Sequence, residues 1–570
     1  MKCCCLLLFI LICTQAVTSQ NSRHIVQFRD KQHSPFLTSA PAAYLSQASI
    51  NRRIRQHLRI DTTDMPVTPS YIDSLRSVPG VVVLNQSKWL NQVLIQTVDS
   101  SALIRIRQFP FVKNAMAIAL RANPGEEVIQ EKFKETIAPL PERGILSQRQ
   151  QTLRATDSLA YGNTYAQINI HNGQFLHNKN FTGRGMIIAV LDAGFFNYNT
   201  NPAIDSARLQ NRIRGTYDFV NNETSVTEDD RHGLQCLSIM AANIPGIMVG
   251  SAPHADYYLF RSEDPGSEYP VEEQNWVVAA ERADSAGADM ISSSLGYSTF
   301  DNPAFNHEYA ERNGNSTIVT IGANLAVKKG MIVMNSAGNS GNDLSDNKYV
   351  SCPADGDSVV AVGAVDVNGN IASFSSWGPN SAGQVKPDIV SVGQGTVLAS
   401  NTGTPVTGNG TSFSNPNVAG LIACLWQAFP EFTNREIITA VQKSSHKYLN
   451  PDERFGYGIP DFRKAYESLS AERLLRNSGA ILGNEWIKAF PVPFDQTLSV
   501  LLNSDFTGKA WIQLLDASGR LLEARELSGG VGQNQLVKFN RSSFLPQGMY
   551  FIRYQDSGRK ATIKVIKVKN

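Results

Sequence analysis

Beyond residue 13 the sequence has no apolar run long enough for a membrane helix, which takes about 20 residues. It has no excess of either charge. Lys and Arg number 52 and Asp and Glu 50, a formal net charge of +2, so nothing in its electrostatics would hold nucleic acid. Only 18% of residues are charged, yet 42% are apolar. That suffices for a sizeable core and excludes wholesale disorder. Gly (42) and Pro (26) are near ordinary usage, which excludes collagen-like and low-complexity chains. Internal repeats are absent. Cysteine is scarce at seven, and Cys3, Cys4, Cys5 and Cys13 sit at the very start. Cys236, Cys352 and Cys424 cannot all pair within one chain and read as packed thiols.

What is present begins with Lys2 and the apolar run Cys3 to Cys13, followed by small residues at Val17 and Ser19. A basic start, a short apolar run and a small-residue end predict a secretory signal peptide over residues 1–19. A lipid-modified Cys13 is the competitor, and bulky Ile12 before it speaks against that. Residues 20–120 predict a small α+β domain: strands at Ile25–Phe28, Val81–Leu84 and Gln92–Val98, and helical spacing after Pro69 and after Asp99-Ser100. Residues 121–159 are polar and proline-marked and read as a linker. Residues 160–475 alternate continuous apolar strands, such as Met186–Leu191, Met331–Met334 and Val359–Val362, with helical patterns. That predicts an α/β domain, a parallel β-sheet flanked by helices. Residues 480–570 alternate short strands with Gly-marked turns, an all-β sandwich pattern.

Ligands of such sheets bind beyond the carboxyl ends of the strands. Asp192 follows the strand Ile187–Leu191. His232 opens an apolar helix-like run. Ser412 stands in Gly410-Thr411-Ser412-Phe413-Ser414-Asn415-Pro416, ahead of a helix expected from Val418 to Phe429. Asn339 follows the strand Met331–Met334. Serine needs a base to become a nucleophile, and histidine serves near neutral pH. A buried carboxylate fixes the histidine tautomer. A helix N-terminus and an amide side chain can stabilise an oxyanion. Each residue alone reads as a cap or a turn; the four in this order do not.

These motifs, with Ser294-Leu295-Gly296, Phe374-Ser375-Ser376-Trp377-Gly378-Pro379 and Phe455-Gly456-Tyr457-Gly458, make residues 160–471 resemble the subtilisin-like serine proteases. The resemblance implies a triad of Asp192, His232 and Ser412, with Asn339 in the oxyanion hole. It implies that Ser294, Leu295 and Gly296 form a substrate-binding edge strand, with Ala337 and Gly338 also at the substrate. Tyr297, in place of a frequent glycine, is expected to narrow the cleft. Residues 20–118 resemble the inhibitory propeptide of that family, with a tail expected along the 294–296 edge and a cleavage between Arg121 and Ala160. Residues 480–570 resemble a type IX secretion sorting domain, through Phe490-Pro491-Val492-Pro493-Phe494, Leu515-Asp516-Ala517-Ser518-Gly519-Arg520 and Leu545-Pro546-Gln547-Gly548-Met549-Tyr550.

The expected protein is therefore a secreted or surface-bound serine endopeptidase made as a zymogen. Its expected partners are peptide or protein substrates, its own propeptide and the type IX secretion machinery, with no nucleic acid and no transmembrane helix. No cofactor or metal is expected in the chemistry. A structural calcium ion is left open with no ligands named, and the oxygen-rich stretch 342–347 is read as a solvated loop. The rival reading is an inactive protease fold that binds peptides.

Overall fold

The computed structural model describes residues 21–120, 133, 135–140, 157–227, 230–530 and 534–568. The signal-peptide reading at 1–19 and most of the linker lie outside them. The chain divides into two compact units, residues 1–463 and 464–570. Among the described residues no helix is long and apolar enough to cross a membrane.

The first unit opens with an antiparallel sheet of order β2-β3-β1-β4, where β1 is Asn21–Phe28, β2 Val82–Ser87, β3 Gln92–Gln96 and β4 Val112–Leu120. Helices Pro69–Arg76 and Ser100–Gln108 supply Ile72, Leu75 and Ile106 to a core with Val26, Phe28, Val93 and Ile95. Asp99 caps the second helix by accepting from the Ser101 N–H, as its side-chain oxygen is built to do. The strand β5 (Thr136–Pro139) stands apart from this sheet.

The large sheet follows. Its strands are β6 (Ile187–Asp192), β7 (Ile213–Asp218), β10 (Asp256–Arg261), β11 (Met290–Ser293), β12 (Ile332–Ser336), β13 (Val360–Val365) and β14 (Ile389–Val392), with a short hairpin of β8 (Asn243–Ile244) and β9 (Met248–Val249) set aside. The order is β14-β13-β12-β11-β6-β10-β7, and every pairing is parallel. The strand order reverses between β6 and β11, the kind of switch point where open α/β sheets place ligands. β13 is buried at every residue, because helices cover both faces.

Several contacts tie the N-terminal region to this domain, the following among them. The Val271–Ala286 helix ends at Gly287, whose φ of +99° is a left-handed conformation that favours glycine. A Cβ there would lie 2.4 Å from the Ala48 Cβ, so the Gln47–Arg55 helix needs this position bare. That helix buries Arg52 and Arg53, and Arg53 pairs with Asp284 at 2.9 Å and Asp64 at 2.6 Å. Arg52 pairs with Asp284 as well. Beside them Glu281 accepts from the backbone N–H groups of Lys88 (2.8 Å) and Trp89 (3.0 Å).

A hairpin of β15 (Thr396–Ala399) and β16 (Pro405–Asn409) completes the unit, with β5 as its third, antiparallel strand. In the second unit, β17 (Ile487–Phe490), β18 (Leu498–Asn503) and β21 (Asn534–Phe539) form one sheet. β19 (Lys509–Asp516), β20 (Leu521–Ser528), β22 (Gly548–Gln555) and β23 (Lys560–Lys567) form another. Val500, Leu502, Ile512, Leu514 and Tyr554 share one core, the inward half of the alternating pattern.

Candidate active site

Asp192 ends β6, and its side chain is fully buried. Its Oδ1 accepts from the Ala193 N–H at 2.8 Å and from His232 Nδ1 at 2.6 Å. His232 starts the His232–Ala241 helix, with its N–H held by Asp230 Oδ1 at 2.7 Å. The helix approaches β6 closely because residue 233 is glycine: a Cβ there would meet the Gly194 carbonyl oxygen at 2.4 Å. Burial opposes charge on His232, but the Asp192 carboxylate outweighs it and raises the imidazole well above its ordinary value.

Ser412 lies in the first turn of the Thr411–Ala428 helix. The expected start at Val418 is thus corrected to Thr411. Pro416 lacks an N–H, but one missing bond near a helix start does not end the helix. The side chain of Asn339 caps it, its Oδ1 accepting from Thr411 N and Thr411 Oγ1, both at 2.8 Å. With its oxygen so engaged, Asn339 keeps its Nδ2 for a second partner.

That space is filled from within the chain. Glu135, 5% exposed, accepts from Ser412 Oγ at 2.7 Å and from Asn339 Nδ2 at 3.1 Å. The same oxygen, Oε1, is 3.7 Å from His232 Nε2. His232 Nε2 is buried and has no hydrogen-bond partner, so the serine hydroxyl is engaged by the glutamate and not by the histidine. Phe133 stacks on the His232 ring at 4.2 Å between centroids. Beyond Glu135, Thr136 pairs with Asn409 and Ile137 with Gly408. Burial disfavours the Glu135 charge, yet the neighbouring His232 and the Ser412 hydroxyl hold its carboxyl below the ordinary value.

A cleft of about 670 Å³ runs past Ser412. Ser294, Leu295, Gly296 and Gly338 line it. Ala337 does not; it is buried beneath, with Val350, Ala354 and Ala361. Tyr297 does not narrow the cleft either. Its ring is fully buried and its hydroxyl donates to Glu263, because the residue after an edge position points back into the core. The expected path of the tail along 294–296 falls on residues 121–132, outside the described ones. Its described part lies on β16 instead. Cys236 packs under the site, its Sγ 3.4 Å from the Ser412 carbonyl oxygen, and burial pushes its thiol up to about 11. Cys236, Cys352 and Cys424 are all buried and free. Sequence reasoning missed Glu135 and Phe133, which sit in a polar stretch with no periodic signal.

Comparison with known proteins identifies the family. The family model described as "Subtilase family" matches residues 183–458. Subtilisin of Bacillus pumilus is 30% identical over 294 residues, 51% of this chain and 94% of that protein. The chain belongs to the subtilase family. Subtilisin E of Bacillus subtilis is 29% identical over 364 residues, 63% of this chain and 82% of its own. The thermostable alkaline protease of Halalkalibacterium halodurans is 28% identical over 295 residues, 51% of this chain and 70% of its own. A Bacteroidota peptidase S8 propeptide domain matches residues 23–134, and a secretion system C-terminal sorting domain matches 488–569. This subtilase is accordingly a serine endopeptidase, made as a zymogen with its own propeptide. It carries a type IX sorting tail that directs it to the cell surface or exterior.

Proposed function

We propose that Ser412 is the nucleophile, His232 the general base and acid, and Asp192 the group that orients His232. Asn339 Nδ2 and the Ser412 N–H, at a helix N-terminus, hold the oxyanion. The observation that carries this reading is the position of Glu135 Oε1. One anionic oxygen lies within reach of Ser412 Oγ, Asn339 Nδ2 and His232 Nε2, where a substrate's developing oxyanion and transferred proton need their partners. With a substrate carbonyl there, Ser412 Oγ attacks the carbon and passes its proton to His232. His232 then gives it to the leaving amine, and water hydrolyses the acyl-enzyme. The substrates are peptides or proteins, held by Ser294, Leu295, Gly296 and Gly338.

In the same reading the chain comprises a signal peptide at 1–19, a propeptide at 20–120, a linker with the maturation site at 121–159, the peptidase domain at 160–475 and the sorting domain at 480–570. A structural calcium ion remains a proposal without ligands. In the 342–347 loop Asp343 Oδ1 already accepts from Ser345 N at 2.8 Å and Ser345 Oγ at 2.7 Å.

A fluorescent phosphonate that labels active serines tests the assignment. Purified protein with and without Ser412→Ala is treated and run on a gel. Labelling confined to wild type supports Ser412 as nucleophile. Absence of labelling, even after limited proteolysis of residues 121–159, would favour an inactive peptide-binding fold.

A further inference from the structure

We propose that the outer face of the second unit is a carbohydrate-binding site, in which Trp511 stacks on a sugar ring and Arg553 takes a uronic-acid carboxylate. It does not rest on the triad assignment above.

Strand alternation sets the face. On β19, Ala510 and Ile512 point into the core, so Lys509, Trp511 and Gln513 point out. On β22, Ile552 and Tyr554 point in, so Arg553 and Gln555 point out. The register sets Trp511 opposite Gln555 and Gln513 opposite Arg553. These five side chains line a depression of about 310 Å³, with Asp556 at its rim.

One exposed aromatic on a sheet is ordinary. Trp511 differs in what surrounds it. Its side chain is 48% exposed, and among the described residues no cation and no second ring covers it. Trp486, by contrast, is covered by the Arg559 guanidinium at 4.6 Å and packs on Tyr554 at 5.1 Å. Among the described residues the Gln513 and Gln555 amides and the Arg553 guanidinium have no hydrogen-bond partner. An amide offers both donors and acceptors, and a guanidinium five donors; here they stand around one bare indole. A pyranose ring has a face of C–H groups and an edge of hydroxyls, and an indole plate with amides beside it matches both. Side chains opposite each other across strands stand about 5 Å apart, and those two apart on one strand about 7 Å, the footprint of a sugar ring.

Charge selects an acidic sugar. β23 extends the face, with Lys560 opposite Gln555 and Lys564 opposite Phe551. Lys509 pairs with Glu526 at 2.5 Å, whereas Arg553, Lys560 and Lys564 have no ion pair among the described residues. Asp556 pairs with Arg559 at 3.0 Å and accepts from the Gly558 and Arg559 N–H groups, so its charge is already answered. An arginine fork holds a planar carboxylate through two hydrogen bonds. A protein partner fits less well. Hot spots at protein interfaces cluster in a dry, well-packed centre, and Trp511 is ringed by Lys509, Gln513, Glu526, Arg553 and Gln555. The unit belongs to the tail that directs the protein to the cell surface or exterior, which places the site among extracellular polymers.

The test uses the full-length chain with Ser412→Ala, its length confirmed by intact mass, in isothermal titration against polygalacturonate, alginate and hyaluronate. Binding to at least one of them is expected. Its methyl ester, which keeps the rings and loses the charge, is expected to bind about 10-fold more weakly or worse. Trp511→Ala should weaken binding about 10-fold or more, the scale of an aromatic anchor. Arg553→Gln should bring the acidic polymer down to the level of its ester and leave the ester's own affinity unchanged. Unchanged thermal midpoints show that both variants, altered on a solvent-facing surface, are folded. Absence of binding to all three polymers would overturn the site, and that result needs no variant on this face. Equal binding of polyglutamate, an anion without sugar rings, or full affinity in Trp511→Ala would reduce the face to a general basic surface and overturn it as a carbohydrate site. Full affinity in Arg553→Gln would overturn the role given to the guanidinium.

Discussion

Ser294 Oγ donates to the Ser412 carbonyl oxygen at 2.9 Å. In an unbroken helix that carbonyl would accept from the N–H four residues on, but residue 416 is proline and has none. Ser294, just after β11, therefore takes a bond that the helix leaves open, and links the cleft's edge to the backbone of the nucleophile.

Ser294→Ala should lower kcat of the matured enzyme a few-fold to about 10-fold, the cost of one lost hydrogen bond at a buried acceptor, with a smaller change in KM. Steady-state kinetics on a chromogenic peptide amide measures it. An unchanged kcat would mean that the link does not position Ser412.

Asn339→Ala should cost about 10²–10³ in kcat and leave KM within a few-fold, because the amide acts on charge that develops only in the transition state. The same kinetics on the matured enzyme decides it; a rate near wild type would remove Asn339 from the oxyanion site.

The buried pairing of Arg52 and Arg53 with Asp284 makes a third prediction. Asp284→Ala strips the buried Arg52 of its carboxylate partner and leaves Arg53 with Asp64 alone, and breaking a buried pair from one side costs about 3–5 kcal/mol. In a Ser412→Ala background, where the chain stays whole, thermal unfolding should shift down by several degrees. The shift should persist at 1 M salt, since buried charges are poorly screened. No shift would mean that the contact is not formed in solution.

Acid should weaken the fold through two histidines. His171 Nε2 accepts from Ser391 Oγ at 2.8 Å and its Nδ1 donates to the Pro460 carbonyl at 3.1 Å. His177 Nδ1 accepts from the Tyr161 hydroxyl at 2.7 Å and its Nε2 donates to the Ser251 carbonyl at 3.0 Å. Burial lowers both imidazoles from 6.5 to about 4. The unfolded chain takes up these protons below pH 6.5 and the fold does not until about 4. Stability is therefore undiminished above 6.5 and falls as pH drops toward 4, by up to about 3 kcal/mol for each histidine. Denaturant midpoints at pH 7 and 5 measure the loss. His177→Gln should reduce it; an unchanged loss would place the acid sensitivity elsewhere.

The positions of Asp192, His232, Asn339 and Ser412 were legible because each follows an apolar strand or opens a helix. A parallel sheet buried on both faces writes such strands as continuous apolar runs. The start of the Ser412 helix was not legible, because Pro416 resembles a breaker when its place near the helix N-terminus is unknown. Tyr297 was misplaced toward the cleft because sequence position does not reveal which way a side chain turns after residues 294–296, which the structure leaves outside any strand, beyond the end of β11. Glu135 was invisible for a different reason. Its meaning comes from the pairing of β5 with β16, strands some 270 residues apart along the chain, and no local pattern encodes a contact at that range.

The tether between β5 and β16 has a consequence for a protein released into the open surroundings of a cell. A separate inhibitor would be lost on dilution. A strand carried on the same chain stays at an effective local concentration of about millimolar or above, whatever the volume outside. Contact of Glu135 with Ser412 is therefore independent of dilution for as long as the chain joining the two strands is whole.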